Sequence, residues 1–129
     1  RWQKIIVLMT DGDNDLAPGS FRYNVSTYAA YGVAGETTAT NRFGTSSSSS
    51  VQTVLDNDMN SVCSNVKAAG ITLYVASFGS GVSTATRTRL QNCSSGVGYY
   101  QHANAPSDLA AFFNHIGQDV INKSIYVSK

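Results

Sequence analysis

Apolar and polar positions follow two different periods along this chain. An unbroken apolar run, Ile5-Ile6-Val7-Leu8-Met9, ends at Thr10-Asp11-Gly12-Asp13-Asn14-Asp15. A short run of this kind, rich in β-branched residues, predicts a strand buried on both faces, as in the parallel sheets of α/β domains. Residues 16–50 keep no sustained period. They hold Pro18-Gly19, isolated glycines and the run Ser46 to Ser50, whose last residue or two can cap a helix. From Ser50 to Ala69, Val51, Val54, Leu55, Met59, Val62, Val66 and Ala69 recur at three- and four-residue steps, which predicts a helix stopped by Gly70. Ile71 to Gly79 reads as a second strand. Ser83 to Asn92 reads as a short helix capped by Ser83 or Thr84, with Leu90 inward. Tyr99 to His102 reads as a third strand. Leu109, Phe112, Phe113, Ile116 and Val120 form the stripe of a last helix, with Asn104 as its cap and Pro106 in its first turn. Ile125-Tyr126-Val127 reads as a terminal strand or the start of a tail.

Strands that alternate with helices in this order predict a parallel sheet. The 129 residues suffice for one domain, spanning 1–129 with a flexible insertion at about 16–50. The formal net charge of +1 gives no field to steer a nucleic acid. No apolar run approaches the ~20 residues of a membrane span. Charged residues make up only 13%, against many Ser, Thr, Asn and Gly, a composition commoner in exported proteins. The chain opens at Arg1, without a Met, three residues before a core strand, and so reads as a piece of a longer protein.

Three carboxylates within five residues repel one another unless a cation or solvent spreads the charge. Asp11, Asp13 and Asp15 are therefore either a divalent-metal site, for Mg or Ca, or a solvated acidic turn. They lie just past the carboxyl end of a strand, where open α/β sheets place their ligands. An EF-hand is excluded, because Leu16 stands where its loop needs Gly and Arg22 where it needs Glu. Asp11-Gly12-Asp13 also resembles the nucleophile loop of haloacid-dehalogenase-type phosphatases. That resemblance implies Asp11 as nucleophile, Asp13 as acid/base, bound Mg and Ser77 as phosphate ligand. The chain departs from it at Asp15, where Thr or Val is usual, and downstream of Ser77 no paired acidic motif follows, since only Asp108 and Asp119 remain there.

Phe21, Tyr23, Tyr28, Tyr31 and Phe43 give the insertion aromatics that either pack it upon itself or form a contact surface, with Tyr28, Tyr31 and Phe43 as the partner-binding candidates. The two cysteines, Cys63 and Cys93, are compatible with one disulfide or two separate buried thiols. With His102 and His115 they lack the close ligand pairs that zinc sites favour. Both histidines read as structural or exposed, and no Ser-His-Asp arrangement is visible.

Met9-Thr10-Asp11-Gly12 with Asn14, Tyr31-Gly32, Arg42-Phe43-Gly44, Cys63 ahead of Lys67-Ala68-Ala69-Gly70-Ile71, Leu90-Gln91-Asn92-Cys93 before Tyr99-Tyr100, and Leu109-Ala110-Ala111-Phe112 together carry a resemblance. In order and spacing they resemble the second half of a von Willebrand factor A domain, and more narrowly the C-terminal part of TadG-like proteins of tight-adherence (Flp) pilus assembly. The resemblance implies a Rossmann-like parallel sheet flanked by helices and lacking its N-terminal strands. It implies a non-enzymatic binding or assembly domain in the periplasm or cell envelope of a bacterium, with pilus-assembly or surface proteins as partners. The full-length protein would be membrane-anchored. Of the family's metal-dependent adhesion site only the Asp of Thr-Asp-Gly maps here, onto Asp11; no Asp-x-Ser-x-Ser loop is present. The resemblance favours a Cys63–Cys93 bridge. Without its upstream neighbour the first strand would keep an unpaired apolar edge, through which the chain is expected to self-associate.

Overall fold

The apolar run at the start forms β1 (Ile5–Thr10). The structure is a computed structural model that describes residues 3–14, 21–23, 26–29, 32–34, 43 and 48–125. After β1 come β2 (Phe21–Tyr23), β3 (Ser26–Ala29), β4 (Gly32–Ala34), α1 (Ser48–Ala68), β5 (Thr72–Phe78), α2 (Thr84–Cys93), β6 (Tyr100–Ala103) and α3 (Pro106–Ile125). The chain divides into two compact units, Arg1–Asp13 with Val62–Lys129, and Asn14–Ser61.

The larger unit is α/β, with a three-stranded parallel sheet of order β1-β5-β6 and helices flanking it, consistent with a Rossmann-like fold. Ile5 pairs with Thr72 and Thr10 with Ser77; Val75 pairs with Tyr100 and Phe78 with Ala103. The strand buried on both faces is β5, where Leu73, Tyr74, Val75, Ala76 and Ser77 are all 3% exposed or less. The expectation of burial on both faces fails for β1, which among the described residues pairs with β5 alone, the open edge expected from the resemblance, with Ile6, Val7 and Met9 40–49% exposed. A strand with a neighbour on one side only keeps its outer half open to solvent, whatever its sequence.

One face of β5 packs on α3. Tyr74 and Ala76 meet Phe112 and Ile116, with Ile5, Tyr99, Leu109 and Val120 around them. The Tyr74 ring lies 4.9 Å from Tyr99 and edge-on to Phe112 at 6.4 Å. At the far end of α3 the Tyr74 hydroxyl donates to Asp119, whose Oδ2 also accepts from Lys123 at 2.6 Å; Lys123 reaches the Tyr99 hydroxyl at 2.8 Å. Burial, then the hydrogen bond to Asp119, pushes the Tyr74 phenol up to about 12.

The first helix begins inside the serine run, at Ser48 rather than at Ser50, and ends as Gly70 dictates. The Ile71 amide donates to Val66 O at 3.2 Å, the Gly70 amide to Lys67 O at 3.0 Å, and Gly70 takes φ +72°, a Schellman close. Its stripe differs from the expected one: Val62 is 59% exposed and Cys63 occupies the buried position. α2 starts at the predicted cap, where Ser83 Oγ accepts from the Thr86 amide at 3.2 Å. α3 is capped differently from expectation. Asp108, in its first turn, accepts from the amides of Asn104 and Ala105 at 2.9 and 3.0 Å, so the capping carboxylate lies inside the helix rather than at Asn104. The helix runs to Ile125; Tyr126 and Val127 lie outside the described residues.

The smaller unit encloses the region expected to be an irregular insertion. It contains an antiparallel sheet of order β2-β3-β4, in which Phe21 pairs with Tyr28 and Tyr28 with Val33. Its described core is Phe43 on Val51, with Val54 and Leu55 beside them. There too, Asn14 donates to Asp56 Oδ1 at 3.0 Å and to the Met59 sulfur at 3.6 Å.

Candidate functional site

The carboxyl ends of β1, β5 and β6 meet at one edge of the parallel sheet, where such sheets bind ligands. Past β1 the Thr10 hydroxyl folds over the turn, donating to Gly12 O at 3.0 Å and accepting from the Gly12 amide at 3.4 Å. Asp11, at the crest, is exposed. The β5–α2 loop presses against this turn: a Cβ on Gly81 would stand 2.9 Å from Asp11 O, so only glycine fits there.

Asp13 has a different fate. Its Oδ1 accepts from the Ser83 amide at 2.9 Å, which places its carboxylate on the first turn of α2. Burial alone would raise its pKa. The hydrogen bonds from the Ser83 amide and from the Ser83 and Thr86 side chains, with the charge of Arg89, outweigh that and hold it below the usual carboxylate value. Two carboxylates two residues apart thus do separate things, Asp11 facing solvent and Asp13 tying β1 to α2. Asp15 lies outside the described residues, and among those described no three His, Cys, Asp or Glu side chains stand close enough to hold a metal ion.

Ser77 ends in the interior. It is fully buried, and its Oγ bonds to Tyr100 Oη at 2.9 Å and His102 Nδ1 at 2.8 Å. With both partners taken and no exposure, that hydroxyl has no approach for a phosphate. His102 Nε2 is buried with no hydrogen-bond partner among the described residues. Sequence reading missed this trio. Only the pairing of Val75 with Tyr100 and Ser77 with His102 brings the three side chains to one face. It also missed a recess of about 330 Å³ between β6 and α3, lined by Tyr100, Gln101, Asp108, Phe112 and His115 among others.

The cysteines are joined. Cys63 on α1 and Cys93 at the end of α2 form a disulfide, with Cα atoms 5.1 Å apart, so neither thiol is left for zinc. Beside it Lys67 donates to Asn92 O at 2.6 Å and Ser94 O at 3.3 Å, the last carbonyls of α2. Of the candidate partner residues, Phe43 is 5% exposed and packs inside the smaller unit, so its ring has no face to offer. Tyr28 lies on β3, but its side chain, like the whole of Tyr31, lies outside the described residues. Compared with protein-family models, curated proteins and solved structures, the chain returned no match.

Proposed function

We propose that this chain is a non-enzymatic binding domain, of the von Willebrand factor A type found in TadG-like pilus-assembly proteins, exported to the bacterial cell envelope. It acts by protein–protein contact at the carboxyl edge of its parallel sheet, with surface or pilus-assembly proteins as partners, and Asp11 is the contact's charged centre. The observation that carries this reading is the contrast between the two carboxylates. Asp11 is exposed on a turn fixed by Thr10 and Gly81, whereas Asp13 is spent on α2. A fixed, exposed carboxylate suits a cation bridge to a partner or a direct bond to a donor. The disulfide supports an oxidising compartment. No described helix is long and apolar enough to cross a membrane.

The phosphatase alternative finds less support. A general acid must keep a proton near neutral pH, and Asp13 is held below the ordinary carboxylate range. The test is thermal unfolding under titration with Mg²⁺, Mn²⁺ and Ca²⁺, on the wild type and Asp11→Ala. A saturable rise in Tm for the wild type, absent in the variant, is the expected result for a cation-bridged contact. Equal shifts in both proteins would remove Asp11 from the site, and Mg²⁺-dependent turnover of a phosphate ester, lost in Asp11→Asn, would overturn the non-enzymatic reading.

A further inference from the structure

The recess between β6 and α3 is a second concave surface, built from residues that the role of Asp11 does not use. Gln101 pairs with Ala76, whose side chain packs on Phe112, so Gln101 stands on the α3 face of the sheet. Asp108, Ala111, Phe112 and His115 face it from α3, and Gly98 enters from the turn before β6. Phe112 is buried, and the His115 ring stacks beside it at 29°, with 6.5 Å between centroids.

The polar groups of the recess are mainly acceptors. Asp108 accepts two backbone amides, but both bonds fall on Oδ2, and Oδ1 keeps its lone pairs. The Gln101 side chain donates from Nε2 to His102 O at 2.9 Å, which leaves Oε1 as an acceptor. Among the described residues no lysine or arginine lines the recess. Asp108 is half-buried, so a charge-assisted bond to it is less screened than one at an open surface. The complement of such a surface is a cation rich in donors.

Size decides where that cation comes from. About 330 Å³ lies at the bottom of the range for small-molecule pockets. Gln101, Ala111 and His115 are exposed, so the recess does not enclose a free ligand on all sides. It suits one side chain whose backbone stays outside. A guanidinium fits better than an ammonium. Its fixed fork of donors can meet acceptors from two elements at once, and its flat face stacks on a ring such as that of His115.

We infer that this recess takes an arginine side chain of a protein partner, with Asp108 Oδ1 as the charged acceptor and Gln101 Oε1 as the second. The inference adds a second contact to the proposed binding function and does not depend on Asp11.

Nuclear magnetic resonance of the full chain, titrated with the tripeptide N-acetyl-Gly-Arg-Gly-amide, tests it. The backbone amides of Gly98, Gln101, Ala111 and His115 and the Gln101 side-chain amide should shift saturably, with a dissociation constant in the millimolar range. The lysine tripeptide should bind more weakly. The citrulline tripeptide, equal in shape but uncharged, should lose about tenfold or more. Asp108→Asn should lose about tenfold, and Ala111→Phe, which fills the recess, should abolish binding. Asp11→Ala should bind as the wild type does. Absence of saturable shifts, shifts confined to other parts of the chain, or equal binding of the citrulline tripeptide overturns the inference. So does unchanged affinity in Asp108→Asn; if that variant does not fold, unchanged affinity in Ala111→Phe overturns it equally. Loss of binding in Asp11→Ala would move the arginine to the acidic turn and overturn the recess as its site. Equal binding of the lysine tripeptide overturns the choice of a guanidinium, and free L-arginine binding more tightly than the tripeptide overturns a protein as its source.

Discussion

Replacing both bridge cysteines, Cys63→Ala with Cys93→Ala, should lower the stability of the chain by about 3–5 kcal/mol. The magnitude follows from the loop. The bridge joins residues 30 apart. In the chain-entropy treatment, releasing such a loop returns about 12 cal/mol/K to the unfolded chain, or about 3.6 kcal/mol at 25 °C. Loss of the two buried sulfurs, 5% and 2% exposed, adds a smaller packing term. Alanine is the better replacement, because serine would bury two hydroxyls. The folded state should change little, since Lys67 still ties the end of α1 to the last carbonyls of α2. The effect therefore belongs to the unfolded ensemble, which expands when the loop opens. Urea unfolding followed by circular dichroism should show both a lower midpoint and a steeper slope, with Tm falling by roughly 10–20 °C. The same protein in reductant should behave like the double variant. A loss below about 1 kcal/mol with an unchanged slope would refute the reasoning, since the bridge would then not constrain the unfolded chain.

Two further outcomes follow from the titrating groups. Burial, then Asp119, pushes Tyr74 up to about 12, whereas an unfolded tyrosine ionises near pH 10, so the folded chain holds more protons in that interval. Stability should therefore fall as pH rises from about 10 to 12, and Tyr74→Phe should flatten much of that fall; an equally steep loss in the variant would count against this origin. Asp13→Ala should cost about 1 kcal/mol and speed hydrogen exchange at the first amides of α2. Because Asp13 is held below the usual value, its contribution is present above about pH 4 and lost as pH falls further; the variant should lack that part of the acid limb, and a parallel acid curve would contradict it.

Periodicity and terminators made most of the α/β unit legible. Gly70 and Ser83 mark helix ends by local rules, and the structure places both where those rules put them. Three features were not legible, each for a tertiary reason. The residues of β1 read as buried on both faces because an apolar run looks the same at the centre of a sheet as at its edge, and only the resemblance led to the expectation of an open edge. The burial of Cys63 in place of Val62 depends on a residue 30 positions away. The sheet at β2-β3-β4 is built from strands of three or four residues, too short for a period to show.

The acidic turn shows most plainly where sequence reasoning runs out. Asp11 and Asp13 share a residue type, a turn and the neighbour Gly12, so any rule based on composition treats them as a pair. What separates them is the start of α2, some seventy residues on. Its Ser83 amide takes one carboxylate, and the close approach of Gly81 to Asp11 O fixes the backbone under the other. Removing the α2 partner would release Asp13 and restore the repulsion that a cation or solvent must then spread. The division of labour is therefore a property of the sheet's carboxyl edge as a whole. Among the described residues of the turn, a partner at this edge would meet one exposed carboxylate, that of Asp11, beyond the end of β1. A single fixed charge selects by position, and so a ligand for this site should tolerate loss of Asp13 far better than loss of Asp11.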